Sequence, residues 1–241
     1  MIVYGRNPVR EALRGRRATQ VREVWATERT AREPWLAETG ARPSRLHVAH
    51  AHEIEERCGT TAHQGVCAEC GPYPYAGADE LLGRPDPFVL ALDQIQDPQN
   101  LGAICRTAEC VGVSGVAIPE RRAAEVTPAV CKASAGAVEH LRVARVRNVA
   151  DFLEQAKRAG CWCYGADAEA TVAYDRPDYR GGAVIVLGGE GKGLRPRVAS
   201  VCDEVVALPM RGRISSLNVS AAAAVLLYEA LQRRGALDSA S

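Results

Sequence analysis

Two stretches of the chain are apolar without interruption, Phe88-Val89-Leu90-Ala91-Leu92 and Ala183-Val184-Ile185-Val186-Leu187. Strands covered on both faces in a parallel sheet read this way. Elsewhere apolar residues recur at helical spacing. Leu101, Ile104, Ala108 and Val111 follow Asp97-Pro98, a pair suited to a cap and a first turn. The same signals predict a helix capped by Asn7 with Pro8 at its first position and stopped at Gly15. Others are predicted over 53–57, Ala78–Leu82 and Val149–Arg158, and one opens at Thr127-Pro128. Strands are predicted over Val21–Ala26, 45–48, 64–70 and Gly115–Pro119, and Cys161-Trp162-Cys163 is strand-like. This alternation is that of an α/β protein. A last helix over 217–234, about 27 Å long, is expected to take its cap from Ser215 or Ser216. Its Val219, Ala221, Ala222, Ala223, Ala224, Val225, Leu226, Leu227, Ala230 and Leu231 leave almost no polar face. Such a helix must be covered on more than one side, by its own sheet or by a second subunit.

Residues 71–87 hold four prolines and three glycines and mark a boundary. The expected division is a small domain over 1–72, a linker over 73–86 and a larger domain over 87–241, within a length of 241 residues that suits one large or two modest domains. With 47% hydrophobic and 24% charged residues the composition is that of a globular chain, which excludes a disordered or collagen-like polymer. No apolar run approaches the ~20 residues that span a bilayer. The start, Met1 to Arg6, lacks the apolar stretch of a secretory signal, so the cytoplasm is the expected compartment.

The formal charge is only +1, so bulk composition does not mark a nucleic-acid binder. Its distribution is less even: residues 1–22 carry Arg6, Arg10, Arg14, Arg16, Arg17 and Arg22 against Glu11, an excess of five. Arginine suits planar contacts to phosphate, and a GC-rich genome produces the same bias. Nine cysteines raise disulfides and metal as questions. Cys67 and Cys70 form a CxxC, but within a predicted strand residues three apart face opposite sides. The expectation is therefore no metal, and reduced, buried thiols.

Three loops at predicted strand exits could carry chemistry. Gly188-Gly189-Glu190-Gly191-Lys192-Gly193 lets backbone amides approach a ligand closely. It is not a P-loop, which needs a glycine where Val186 stands and a Ser or Thr where Gly193 stands. Nor is it a dinucleotide fingerprint, whose last glycine is replaced by Leu194. A ligand loop of another kind and a plain tight turn both remain open. Asp97-Pro98-Gln99-Asn100-Leu101-Gly102 leaves the first apolar strand, with Arg106 opposite the apolar stripe of its helix. Leu208-Pro209-Met210-Arg211-Gly212-Arg213 leads to Ser216-Leu217-Asn218 at a helix start.

Taken together, the three loops resemble the motifs of the SpoU/TrmH family of RNA ribose 2′-O-methyltransferases in the SPOUT superfamily. The likeness runs through residues 97–108, 187–194 and 208–220, with Ser134-Ala135-Gly136-Ala137 and Glu139 also familial. Tyr4-Gly5-Arg6-Asn7-Pro8-Val9-Arg10-Glu11-Ala12-Leu13 and His63-Gln64-Gly65-Val66 resemble the L30e-like substrate-binding module of the RlmB-like branch, which methylates a guanosine ribose of 23S rRNA. The resemblance implies a parallel-sheet SPOUT fold with a C-terminal trefoil knot behind a small L30e-like α/β domain. It also implies S-adenosylmethionine as cofactor, a homodimer through the knot domain and the C-terminal helix, and structured RNA as substrate. By motif position, cofactor contacts fall on Gly188, Gly189, Leu208, Met210, Leu217 and Asn218, and catalytic roles on Asn100, Arg106, Glu190, Ser216 and Asn218. For phosphate contacts the candidates are Arg6, Arg10, Arg14, Arg16 and Arg17, then Arg121, Arg122, Arg211 and Arg213 nearer the site. The same chemistry on tRNA or another rRNA site is the nearest alternative, and a non-catalytic ribosome-assembly protein is one of a different class.

Overall fold

The computed structural model describes residues 1–38, 45–189, 191 and 193–235. They form two compact units, Met1–Pro74 with Glu125–His140, and Tyr75–Ala124 with the chain from Leu141 onward.

The first unit is built on strands β1 (Ile2–Tyr4), β2 (Val21–Ala26), β3 (Leu46–Val48) and β4 (Val66–Cys70), in the order β1-β4-β2-β3. Its helices are α1 (Arg6–Arg14), the short α2 (Glu28–Ala31) and α3 (Pro34–Glu38), and α4 (Ala51–Cys58). The cap of α1 is Gly5 rather than Asn7, and the helix starts before the proline. Gly5 sits at φ 94°, a left-handed conformation that releases the chain from β1 directly into the helix. Cys67 and Cys70 both lie in β4.

Residues from farther along the chain complete this unit. The α7 helix (Pro128–Ala133), capped by the Thr127 side chain, and the 3-10 turn Ala137–Glu139 pack against α1 and β1. Glu139 meets Arg17 there, both wholly enclosed; Arg17 Nε donates to Glu139 Oε2 at 2.7 Å and its second amino group meets Oε1. Tyr73 donates its hydroxyl to the Val138 carbonyl at 2.8 Å and lays its ring 5.7 Å from the Arg17 guanidinium. An enclosed ion pair needs this saturation of its donors, because each ion has lost its water.

The second unit carries the seven-stranded sheet. Its strands are β5 (Phe88–Asp93), β6 (Gly115–Pro119), β7 (Val143–Val146), β8 (Trp162–Ala166), β9 (Val172–Ala173), β10 (Ala183–Gly188) and β11 (Glu204–Ala207). They run β7-β6-β5-β10-β8-β11-β9 with every pairing parallel. The two uninterrupted apolar runs are the adjacent central strands, buried along their whole lengths. Around the sheet lie α5 (Ala78–Leu82), α6 (Pro98–Cys110), α8 (Val149–Arg158), α9 (Pro196–Val201) and α10 (Val219–Arg233). Helix α10 packs on α6 and β10 through Val219, Ala223, Leu226, Leu227 and Ala230. Its cap is Asn218, not Ser215 or Ser216: the Asn218 Oδ1 accepts from Ser220 N at 2.8 Å. No helix among the described residues is long and apolar enough to cross a membrane.

Candidate active site

A parallel sheet delivers all its strand exits to one edge, and β5, β10 and β11 leave there. The last register pair of the two central strands sets Gly188 beside Asp93. Beyond Asp93 the chain turns through Gln94 at φ 67°, left-handed for a side-chain-bearing residue, at a cost of about 1–2 kcal/mol. It then enters α6, capped by Asp97 Oδ1 accepting from Gln99 N at 3.0 Å, with Pro98 in the first turn.

The loop leaving β10 folds back on itself. Gly193 N donates to Gly189 O at 3.1 Å, and a Cβ built on Gly188 would lie 2.1 Å from the Gly193 carbonyl carbon and oxygen. Glycine at 188 is thus a steric requirement. Gly189 comes within reach of the Gln94 carbonyl, 3.1 Å from where its own Cβ would stand. Asp93, 1% exposed, holds the far end of the loop. Its Oδ2 accepts from Arg195 N at 3.1 Å and its Oδ1 from Arg195 Nε at 2.8 Å. Asp167, after β8, flanks the loop with Oδ2 2.8 Å from a Cβ built on Gly193.

The chain leaving β11 has no helix or strand from Leu208 to Asn218. Leu208 and Met210 are half-buried there, while Arg211, Arg213, Ser216 and Leu217 are exposed. It meets the first loop where Asn218 Nδ2 donates to Asn100 Oδ1 at 3.1 Å. Asn100 is buried in the first turn of α6.

Of the residues singled out in the sequence, the structure brings Asn100 and Asn218 into contact and sets Gly188 and Gly189 at the same sheet edge. Arg106 lies exposed farther along α6, and among the described residues no hydrogen bond or ion pair joins it to either asparagine. Glu190 lies outside the described residues. Arg121 and Arg122 are exposed after β6. In the first unit Arg14 and Arg16 are exposed, Arg6 pairs with Glu33 at 2.8 Å and Arg10 with Glu11 at 2.8 Å. Arg17 is removed from the phosphate-binding set: a guanidinium with no exposed surface, saturated by Glu139, cannot reach a phosphate. Asp93, which anchors Arg195 beyond the loop, is the residue that sequence reasoning passed over. The signal for Asp93 was a carboxylate ending an otherwise wholly apolar strand, which demands a buried partner.

Residues 87–228 match the SpoU rRNA Methylase family, and residues 2–76 match the RNA 2′-O ribose methyltransferase substrate-binding domain. A 23S rRNA (guanosine-2′-O-)-methyltransferase, RlmB, of Pseudomonas syringae pv. tomato is 38% identical over 241 residues, 97% of this chain and 96% of that one. The crystal structure of the SpoU methyltransferase AviRb from Streptomyces viridochromogenes, in complex with the cofactor AdoMet, superposes with TM-score 0.81. The two are 25% identical, over 97% of this chain and 89% of that one. An AdoMet-bound rRNA methyltransferase from Sinorhizobium meliloti gives TM-score 0.81 and 25% identity, over 96% and 86% of the two chains. The sheet edge with its three loops is therefore that of a known fold, and the chain belongs to the SpoU rRNA methylase family.

Proposed function

We propose that this chain transfers the methyl group of S-adenosylmethionine to the ribose 2′-hydroxyl of a guanosine in 23S rRNA. The observation that carries the reading is the Asn218–Asn100 hydrogen bond, which draws the β11 loop onto the start of α6 beside the folded glycine loop. The residues at this edge suit the cofactor. Gly188 and Gly189 can offer a ligand only backbone atoms, and Leu208, Met210 and Leu217 offer apolar surface for an adenosyl group. Gly188, Gly189, Leu208, Met210, Leu217 and Asn218 would hold it. When bound, it supplies an electrophilic methyl carbon on a sulfonium sulfur. The trefoil knot of the SPOUT fold belongs to this reading, with the β10 and β11 loops as its crossing segments.

The 2′-hydroxyl is a weak nucleophile until its proton leaves, so alignment and charge stabilisation are the tasks left to the protein. A guanidinium stays protonated at neutral pH. Arg106 therefore acts as a cation, stabilising the developing alkoxide or gripping the adjacent phosphate through its planar fork. Asn100 and Asn218 fix each other and thereby the start of both helices. Glu190 and Ser216, by their places in the second and third motifs, orient the ribose and Arg106. RNA lies along Arg6, Arg10, Arg14 and Arg16 on the first unit, and along Arg121, Arg122, Arg211 and Arg213 on the second. Looped or single-stranded RNA fits best, because its 2′-hydroxyl can be reached.

The active form is a homodimer through α10. On that helix Ala221, Val225 and Tyr228 form an exposed row at helical spacing, Val225 at 40% and Tyr228 at 48% exposure, and Leu217 and Ile214 are exposed in the chain that leads into it. The test of the function is ribose-methylation mapping of total RNA from a strain lacking the gene. One missing guanosine methyl in 23S rRNA, restored by the cloned gene, is expected. An unchanged map, or a missing tRNA methyl instead, overturns the substrate. In vitro, absence of methyl transfer to unmodified 23S rRNA from labelled S-adenosylmethionine overturns the enzyme reading itself.

A further inference from the structure

Lys132 is an ammonium in an unusual position. Helix α7 carries it against β1 of the first unit, where it is half-buried. Its Nζ stands 5.9 Å from the centre of the Tyr4 ring. Among the described residues it makes no ion pair and no hydrogen bond. Burial lowers its pKa. A cation stripped of part of its water, beside a ring face and without a hydrogen-bond or ion-pair partner among the described residues, is a poised anion site.

Its surroundings are built around it. A Cβ on Gly5 would lie 2.5 Å from Lys132 Nζ and 3.1 Å from Gln64 Oε1, so both polar ends converge on the space that glycine leaves open. Gln64, at φ 54°, keeps a left-handed backbone despite carrying a side chain. Its Oε1 accepts from Arg6 N at 3.2 Å, which commits the carbonyl end of the amide and leaves its NH2 end as a donor.

We propose that Lys132, Tyr4 and Gln64 form a nucleotide-holding site for RNA on the first unit. Lys132 takes a phosphodiester oxygen, the Tyr4 ring lies against a ribose or base, and the Gln64 amide donates to a base edge. The site joins distant stretches of the chain: its cation comes from between β6 and β7, while the other two residues lie within residues 2–76, which match the substrate-binding domain. Gly5 is the residue that makes room for it. The inference rests on the RNA-methyltransferase reading but concerns capture of RNA, not methyl transfer.

The test uses the full chain and 23S rRNA prepared from a strain lacking the gene. Lys132→Met keeps the length and packing of the side chain and removes the charge. It is expected to weaken rRNA binding about tenfold and to lower the slope of log affinity against log salt by about 0.7–0.9, the signature of one lost phosphate contact. Lys132→Arg restores both, and S-adenosylmethionine affinity stays at the wild-type value in each. As a second measurement, acetylation of lysines in the wild-type chain is read by mass spectrometry with and without rRNA. Lys132 is protected by RNA, whereas Lys157, paired with Asp203 at 2.7 Å, is not. Unchanged affinity and slope in Lys132→Met, or equal acetylation of Lys132 with and without RNA, overturns the site. A wild-type chain that binds rRNA but methylates none of it overturns the functional reading and leaves these binding readouts intact to decide the site.

Discussion

Asn218 serves two partners at once. Its Oδ1 caps α10 by accepting from Ser220 N at 2.8 Å, and its Nδ2 donates to Asn100 Oδ1 at 3.1 Å across 118 residues of chain. Asn218→Asp separates the two roles. A carboxylate caps a helix as well as an amide does, but it can only present a second acceptor to the Asn100 oxygen. The variant is expected to melt close to wild type while methyl transfer falls at least about tenfold, since a displaced β11 loop loses alignment at the proposed site. Asn218→Ala should lose both, with about 1 kcal/mol of stability lost with the cap. Thermal melts beside single-turnover methyl transfer would read the difference; full activity in Asn218→Asp would show that the inter-loop bond is dispensable.

The glycine loop offers a paired comparison. Gly188→Ala places a methyl 2.1 Å from the Gly193 carbonyl, so the loop must open. Overpacking of this kind costs about 1–3 kcal/mol, and calorimetry is expected to find cofactor binding weakened more than about tenfold. Gly191→Ala changes the same loop where nothing among the described residues lies within 4 Å of the added methyl, and its φ of 70° is the strain that remains. That costs about 1–2 kcal/mol, with binding largely kept. Equal effects of the two substitutions would mean that the fold-back is irrelevant to the cofactor.

What the sequence made readable follows physical locality. The strands β5, β6 and β10 and the helix α8 follow directly from apolar runs and caps, because each is decided within its own few residues. The caps of α1 and α10 were misplaced because a glycine with positive φ and an asparagine won over neighbouring candidates, Asn7 in one case and Ser215 and Ser216 in the other. The three loops were recognisable as motifs, yet whether the glycine loop was a ligand loop or a turn stayed open. Its fold-back depends on Asp93 holding Arg195 102 residues away, a contact no local pattern encodes. The burial of Arg17 was hidden for the same reason, since its partner Glu139 lies 122 residues on.

That enclosed pair makes the next prediction. Glu139→Gln leaves the Arg17 guanidinium buried without a counter-charge, and breaking such a pair by one partner costs about 3–5 kcal/mol. Arg17→Met with Glu139→Leu removes both charges and is expected to recover most of that loss in a urea unfolding series. A double variant no more stable than Glu139→Gln would show that shape, not charge, decides the site. The pair also bears on dissection of the chain: a fragment starting at residue 73 retains Glu139 but loses Arg17 and α1, on which the Ala137–Glu139 turn packs.

The exposed row on α10 tests the dimer. Val225→Glu with Tyr228→Glu puts two charges on a face that already touches solvent in the single chain, where Val225 is 40% and Tyr228 48% exposed. The fold should survive, since surface changes of this kind shift stability by about 0.5 kcal/mol or less. Light scattering is expected to give twice the chain mass for the wild type and the single chain mass for the variant. A wild type at single chain mass at micromolar concentration would remove α10 as an interface.

Arg106 decides between two chemistries. It is exposed on α6, so Arg106→Ala should leave the melting temperature and cofactor affinity unchanged while methyl transfer falls about 100-fold or more, the usual cost of one charge-stabilising donor. Arg106→Lys is the sharper variant. Lysine loses its proton near pH 10.4, well below arginine, so a mechanism in which residue 106 removes the hydroxyl proton predicts faster transfer by the lysine enzyme as pH rises. A mechanism in which residue 106 remains a cation predicts the reverse. The lysine keeps the charge but lacks the planar fork, so its rate should sit between wild type and Arg106→Ala and gain nothing over wild type at high pH. The second pattern is expected. A lysine enzyme overtaking the wild type in alkaline buffer would make residue 106 a base.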